Sequence, residues 1–291
     1  METAKPVAFI TGATSGIGNA FAWKFASLGF DLVITGRRQN EIADTAREIS
    51  AGFQCNVETF IGDLSDGSFR HRLADRIRNS NRMEVLVNNA GFGDNYEFHE
   101  SSIDRVLSMI YTHDVAAVEL IHAALPRMIG RHRGTIINVS SLAAFLPGLS
   151  QTLYLATKSF IHNFSRSLSL EIARFGITVQ SLCPGFTRSD FNREKTREQV
   201  DRNFSRIHCM EPEEVVRHSM RDLEKRRMLC IPGFTNKLFY LISRILPMGV
   251  FRILSRMRAE KEIPRPELKS LSVPSLINPI FPPLLPLSPY R

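Results

Sequence analysis

Over roughly the first 230 residues, short runs of consecutive apolar residues alternate with longer stretches in which apolar residues recur every three or four positions. The short runs are bounded by Gly, Asp or Asn and read as strands buried on both faces, and the longer stretches read as amphipathic helices. This predicts strands at Val7–Ile10, Asp31–Thr35, Val57–Ile61, Glu84–Val87, Thr135–Val139, Ile177–Leu182 and Met228–Ile231. Helices are predicted from Asn19 to Leu28 (ended by Gly29), Gln39 to Ser50, Phe69 to Asn79, Ser102 to Met128, Thr152 to Arg174 and Pro212 to Arg227. Strands that alternate with helices of this length need a crossover at each connection, so the fold class is α/β: a parallel sheet with helices on both faces. In open sheets of this kind, ligands bind at the carboxyl ends of the strands.

The pattern changes after Ile231. Asn236–Met257 is rich in Leu, Ile and Phe, studded with Arg, and broken by Pro247 and Gly249; from Ile263 onward eight prolines punctuate a tail with no periodicity. The expected organisation is a catalytic domain over 1–235, a basic amphipathic helical extension over 236–262 and a proline-rich tail over 263–291.

Composition narrows the classes. A hydrophobic fraction of 43% excludes a disordered chain and a multi-span membrane protein. The four cysteines are widely spaced, with no Cys-x-x-Cys pair, which predicts no disulfide framework, no metal site and a reducing compartment. A first strand near Val7 leaves no room for a signal peptide, so a cytoplasmic location is expected. Asn138-Val139-Ser140 matches a glycosylation triplet but lies on a strand expected to be buried, and reads as accidental.

Half of the net charge of +8 sits between Lys237 and Glu262, where six basic residues face two acidic ones. Basic residues interleaved with aliphatics disfavour nucleic acid. Two readings of 236–257 remain: peripheral contact with a membrane interface, or a helix pair packed on the core or a subunit interface. Arg244 and Pro247 interrupt the segment too much for it to span a bilayer.

The stretch that carries chemistry runs from Ser141 to Lys158. Tyr154 and Lys158, four apart on a helix, share a face, and Ser141 lies thirteen residues before the tyrosine, just past a strand. A phenol, a cation and a hydroxyl aimed at one point form a proton-donating device for a carbonyl oxygen. The lysine is expected to lower the phenol's pKa, which is near 10 when free.

Upstream, Thr11-Gly12-Ala13-Thr14-Ser15-Gly16-Ile17-Gly18 joins the first strand to the first helix. Such a run also serves as a plain glycine-rich turn, but its place between strand and helix favours a pyrophosphate site at a helix N-terminus. Its Gly-x-x-x-Gly-x-Gly spacing is not the usual dinucleotide fingerprint. The second strand ends in Gly36-Arg37-Arg38 with no acid. Arginine there accommodates a ribose 2′-phosphate and predicts NADP(H), the alternative being that both arginines only solvate a helix start.

The ordered set Thr11-Gly12-x-x-x-Gly16-x-Gly18, Asp63-Leu64, Asn88-Asn89-Ala90-Gly91, Ser141, Tyr154-x-x-x-Lys158 and Pro184-Gly185 resembles the short-chain dehydrogenase/reductase family over roughly residues 5 to 235. The resemblance implies a Rossmann-like, doubly wound sheet. Tyr154 would be the general acid/base and Ser141 would bind the substrate oxygen. Lys158 would hold the nicotinamide ribose and tune the tyrosine. Gly12, Ser15, Gly16, Ile17 and Gly18 would cradle the pyrophosphate, Asp63, Leu64, Asn89, Ala90 and Gly91 would line the adenosine side, and Pro184, Gly185 and Thr187 would abut the nicotinamide.

The sequence departs from the family at one point. The family usually has asparagine thirteen residues before the proline of the long helix, here Pro126; this chain has His113. That asparagine and a local helix distortion hold a water that links the lysine to solvent. His113 reads either as a replacement hydrogen-bonder or proton shuttle, or as a packed helix histidine with a reduced relay.

Phe92, Leu142, Phe145, Leu146, Phe186 and Phe191 fall in loops after strands and suggest an apolar substrate pocket, although each also serves to cover the sheet top. Thr187 to Met210 reads as a lid. The expected activity is NADP(H)-dependent hydride transfer between nicotinamide and an apolar secondary alcohol or ketone, 3-oxoacyl- or steroid-like. The alternative is a sensor or scaffold that binds NADP(H) without turnover. The resemblance implies a homo-oligomer, a dimer or tetramer, paired through two long central helices.

Overall fold

A computed structural model describes residues 4–93, 97–145, 151–188, 209–245 and 249–250. Seven parallel strands form one sheet in the order β3-β2-β1-β4-β5-β6-β7. They are β1 (Val7–Thr11), β2 (Asp31–Gly36), β3 (Val57–Ile61), β4 (Met83–Asn88), β5 (Gly134–Val139), β6 (Ile177–Leu182) and β7 (Leu229–Cys230). The order reverses direction between β1 and β4, which makes that crevice the switch point of a doubly wound fold.

Alternate strand residues feed two separate cores. Ala8, Ile10, Leu32, Ile34, Val85 and Val87 pack under α1 (Gly16–Ser27), α2 (Gln39–Phe53) and α7 (Pro212–Glu224). Val7, Phe9, Val33, Leu86, Ile136 and Val179 face the other way, under α3 (Gly67–Arg78), α5 (Ala116–Gly130) and α6 (Thr152–Ile172). Because both faces of the inner strands are covered, these strands are largely apolar on both sides and stand out in the sequence, whereas the edge strand β3 (Val-Glu-Thr-Phe-Ile) is only half-buried.

The long helix predicted from Ser102 to Met128 is not regular. It runs as α4 (Ile103–Ile110), a π-turn at Tyr111–Val115 that holds His113, and then α5. Such turns widen the helix by one residue and often mark functional positions. The other helices match the expected ones to within about three residues, and α1 starts three residues earlier, at Gly16 itself. Phe234–Ile245 forms α8, which crosses the position between 235 and 236. Most of the lid stretch (189–208), the later part of the extension and the whole tail from 263 lie outside the described residues.

The strand ends are locked to α6 by a buried polar chain. Asn88 Nδ2 donates to Asn138 Oδ1 at 2.8 Å, Asn138 Nδ2 to Ser165 Oγ at 2.8 Å, and Ser165 Oγ to the Ile161 carbonyl at 2.6 Å. Asn138 is fully buried, in agreement with the reading of its glycosylation triplet as accidental. Replacing Asn138 with Ala strands buried partners on both sides, so we expect a loss of about 2–3 kcal/mol. The check is a lower denaturant midpoint at unchanged slope.

Candidate active site

Residues Thr11–Gly18 turn sharply from β1 into α1. Gly12 and Gly16 have φ of 68° and 59°, the left-handed region in which a side chain is strained. Gly18 is required for space: a Cβ there would lie 2.2 Å from the Gly12 carbonyl oxygen and 2.4 Å from Asn89 Nδ2. That amide donates to the carbonyls of Thr11 and Gly12, both at 2.9 Å, while the backbone N–H groups of Asn89 and Ala90 donate to Thr11 Oγ1. Asn89 therefore fastens the turn after β4 to the glycine turn. No side chain caps the first turn of α1, so its amide groups remain directed at whatever sits in the turn. Ile17 packs half-buried against the core below.

At the end of β2 the two arginines diverge. Arg38 reaches back over the glycine turn, its Nη2 donating to Thr14 Oγ1 at 2.9 Å and Ser15 Oγ at 3.1 Å, and it also pairs with Glu41. Arg37 pairs with Asp63 at 3.3 Å; the contact is exposed and contributes about 0–1 kcal/mol to stability. Burial raises the Asp63 pKa, but hydrogen bonds from Ser65 and the charge of Arg37 outweigh it and hold the carboxyl below its ordinary value. Leu64 is buried, and its carbonyl accepts from the buried Arg70, which also pairs with Glu119 at 2.9 Å. That Asp63-Leu64 turn is thus anchored from beneath.

The catalytic candidates gather where β5 ends. Ser140 Oγ donates to the Lys158 carbonyl at 2.7 Å, and Lys158 Nζ donates to the Val139 carbonyl at 3.0 Å. These two bonds clamp the start of α6 to the strand end. Ser141 hydrogen-bonds Tyr154, and Lys158 Nζ lies 5.7 Å from the tyrosine ring centre. Serine, tyrosine and lysine therefore do converge.

The expected lowering of the phenol is not what this geometry gives. Crowding by protein pushes Tyr154 up to about 12; the Ser141 hydrogen bond opposes this and the Cys183 thiol adds to it. Lys158 is itself buried, and burial brings it down to about 8, with Asp114 and Cys183 working against the fall.

His113 is buried and fully committed. The Phe92 backbone N–H donates to Nε2 at 3.0 Å, and Nδ1 meets Thr157 Oγ1 at 2.9 Å, while Thr157 gives its own proton to the Tyr154 carbonyl at 2.9 Å. Thr157 must then accept from Nδ1–H, which fixes a neutral imidazole with both nitrogens used. Burial and the nearby Lys158 charge hold its pKa well below the ordinary value. His113 is thus a packed histidine that also hydrogen-bonds through both nitrogens, and the ring has no free nitrogen with which to shuttle. Gly91 makes room for it: a Cβ there would come within 2.9 Å of Nε2.

The Pro184-Gly185 turn lies beside these groups, its Pro184 carbonyl accepting from the Leu142 N–H at 2.9 Å. Thr187 Oγ1 donates to the Gly185 carbonyl at 3.2 Å. Two residues of α8 that the sequence did not single out close this side: Asn236, against which a Gly185 Cβ would collide, and Tyr240, stacked edge-on against Phe145 at 4.6 Å. The apolar pocket candidates do not act as one lining. Leu142 is core with Cys183 and Ile231, Phe145 packs on His162 and Tyr240, Phe92 sits against His113, and Phe186 is exposed. Leu146 and Phe191 lie outside the described residues. Sequence reasoning also missed Ser140, Thr157 and Asp114. For Asp114 a signal was present: an acid in the middle of a long, otherwise apolar helix face.

A doubly wound sheet with a glycine turn at its switch point and a Ser-Tyr-Lys group on the adjoining strand end defines a class of nicotinamide-dependent oxidoreductases. A family model for short chain dehydrogenase matches residues 6–200, and the chain belongs to that family. It is 30% identical over 190 residues to very-long-chain 3-oxoacyl-CoA reductase-B of Danio rerio, covering 64% of this chain and 61% of that protein. It is 32% identical over 184 residues to inactive hydroxysteroid dehydrogenase-like protein 1 of Homo sapiens, covering 61% and 54%. The chain thus spans little more than half the length of these two relatives. A short-chain dehydrogenase from Sphingobium yanoikuyae, solved with NADPH, superposes with a TM-score of 0.73 at 26% identity over 92% of this chain and 99% of that one.

Gly18→Ala forces a methyl group into the Gly12 carbonyl, so affinity for nicotinamide dinucleotides is expected to fall about a hundredfold, or roughly 2.7 kcal/mol. Titration followed by cofactor fluorescence measures this.

Proposed function

We propose that the chain is an NADP(H)-dependent oxidoreductase that moves hydride between nicotinamide and an apolar secondary alcohol or ketone, 3-oxoacyl- or steroid-like. The observation that carries this reading is the convergence of Ser141, Tyr154 and Lys158 at the end of β5, beside the switch-point crevice. The residues present fit a dinucleotide. The turn closes on itself where a Gly18 Cβ would stand, the first turn of α1 is uncapped, and a guanidinium overhangs the turn. Arg38, fixed by Thr14 and Ser15, favours a 2′-phosphate, with Arg37 as a second cation beside it. The zebrafish relative's name supports a 3-oxoacyl substrate class.

When bound, the nicotinamide supplies or accepts hydride at carbon. Every other part of the step belongs to the chain. Ser141 and Tyr154 hold the substrate oxygen by hydrogen bonds. A phenol pushed up to about 12 stays protonated at neutral pH and is ready to donate as charge develops on that oxygen. The Lys158 ammonium then stabilises the phenolate.

Tyr154→Phe is expected to lower the rate of ketone reduction by at least about a thousandfold while NADPH affinity stays within about threefold of normal. Activity that survives would remove Tyr154 from its role. Arg38→Ala should weaken NADPH far more than NADH; an equal loss would contradict the 2′-phosphate assignment.

A second reading, binding without turnover, draws support from the immobilised His113 and from the human relative's name. Stopped-flow oxidation of bound NADPH by a panel of ketones separates the two.

We also propose that α8 rests on an anionic lipid surface. Its inward face carries Asn236, Tyr240 and Ser243, whereas Phe234, Leu238, Leu241, Ile242 and Ile245 are exposed with Lys237 and Arg244 close by, an inverted amphipathic helix. Among the described residues no helix is long and apolar enough to cross a membrane. Full-length protein should float with phosphatidylserine vesicles, and Leu241→Glu with Ile245→Glu should abolish flotation. Equal flotation of wild type and variant would reject the surface.

A further inference from the structure

The polar chain that locks the strand ends to α6 has a direction. The Ile161 carbonyl can only accept, so the single proton of Ser165 Oγ goes to it at 2.6 Å. Ser165 then accepts from Asn138 Nδ2 at 2.8 Å, which turns Asn138 Oδ1 towards Asn88 and makes Asn88 Nδ2 the donor, again at 2.8 Å. Both amides are thereby fixed in orientation, and Asn88 Oδ1 is the end left over. It is fully enclosed, on a residue only 7% exposed, and meets no hydrogen-bond donor among the described residues.

A second such atom lies on the π-turn. Thr112 Oγ1 is also fully enclosed and without a hydrogen-bond partner among the described residues. A helical threonine often returns its proton to a carbonyl one turn back, an outlet this hydroxyl does not use. The third group is Lys158 Nζ. Of its three protons one goes to the Val139 carbonyl at 3.0 Å, and no other acceptor meets them among the described residues.

Asn88, Thr112 and Lys158 border one cavity of about 10 Å³. Thr11 and His113 stand in the same walls but are already committed. Thr11 Oγ1 accepts from the Asn89 and Ala90 N–H groups and donates to the Val87 carbonyl, and both His113 nitrogens are bonded. Ala117, Leu120 and Ile161 add apolar wall. The volume is about that of one water, and the polar groups select one. Asn88 Oδ1 needs a donor, the ammonium needs an acceptor, and the Thr112 hydroxyl can serve as either. An anion would repel the amide oxygen and a cation would repel the ammonium, whereas water accepts from Lys158 and donates to the other two.

We propose that Asn88, Thr112 and Lys158 hold a single enclosed water, and that through it Asn88 and Thr112 keep Lys158 in its charged form. They are positioning residues. With Thr11 and His113 committed and apolar wall behind it, this water anchors the ammonium and relays nothing, unlike the lysine-to-solvent link that the family resemblance implies. Its consequence for turnover rests on the hydride-transfer reading above: the ammonium that stabilises the Tyr154 phenolate stays charged to higher pH with the water than without it.

The titratable and charged groups that face Lys158 are His113 and Asp114 on the π-turn, Tyr154 on α6 and Cys183 just past β6. Burial brings the lysine down to about 8. A hydrogen bond from the ammonium favours its charged form, so loss of the water moves the titration lower still. Reduction that needs the ammonium slows as pH rises through that titration, and the slowing then begins at lower pH.

The test compares the full chain as wild type, Thr112→Val and Thr112→Ser. Valine keeps the shape of threonine without the hydroxyl, and serine restores it. A high-resolution crystal structure of the wild type should show one ordered water within hydrogen-bonding distance of Asn88 Oδ1, Thr112 Oγ1 and Lys158 Nζ, absent in Thr112→Val and present in Thr112→Ser. In protein labelled with ¹⁵N at lysine side chains, the signal lost in Lys158→Met should titrate at least about half a unit lower in Thr112→Val and return in Thr112→Ser. Ketone reduction by the NADPH-loaded protein should slow at correspondingly lower pH, while the rate on the acid side of that fall stays within about twofold of wild type.

A wild-type structure with no water at these three atoms, or a Lys158 titration that Thr112→Val leaves in place, would overturn the proposal. An acid-side rate at least about tenfold lower in Thr112→Val would make the water a relay and overturn it too. The wild-type map decides the water even where a variant fails to fold. A wild type that reduces no ketone sinks the hydride-transfer reading alone, because the map and the lysine titration need no turnover.

Discussion

The structure depends on a short clamp at the end of the central strand. Lys158 is held at both ends: its carbonyl accepts from Ser140 and its ammonium donates to the Val139 carbonyl. The Asn138–Ser165 bond and apolar packing hold the later part of α6 to the sheet, and this clamp fixes its beginning, where Tyr154, one turn earlier, is positioned against Ser141. A charge buried in this way is costly, and the Val139 carbonyl that accepts from it offsets part of that cost. The requirement to house one ammonium thus shapes the π-turn, the strand end and the start of α6 together.

The same constraint explains why neighbouring groups depart from their free behaviour. Tyr154 is held protonated by crowding, His113 is held neutral by burial and the lysine charge, and Asp114 is lifted towards neutrality. The lysine's long-range charge touches each of the last two, but burial is the larger influence in every case. The expectation that the lysine would lower the phenol gave too much weight to charge and too little to desolvation, because sequence spacing reports neighbours and not depth.

Much of the architecture was legible because both sheet faces are covered. Apolar runs gave all seven strands to within about a residue at each end, although for Met228–Ile231 that margin leaves only the pair Leu229–Cys230 at the sheet edge. The glycine turn and the Ser-Tyr-Lys group were legible from spacing, since their geometry comes from local turns and from a helix period. What was not legible depends on residues far apart in the chain. Thr157 fixes the His113 tautomer across 44 positions, and Asn236 meets Gly185 only because α8 folds back over the site. The π-turn leaves no mark in the hydrophobic periodicity; only the family resemblance, with its helix distortion at the position of His113, pointed to it.

The central claim is that one crevice brings hydride and proton to the same carbonyl. The most direct test is a single turnover of the wild-type protein with NADPH deuterated at the transferring C4 position and an apolar ketone. The account predicts a slowed oxidation of the nicotinamide and deuterium on the carbinol carbon of one product enantiomer. Deuterium retained entirely on the nicotinamide, with every ketone offered, would contradict it.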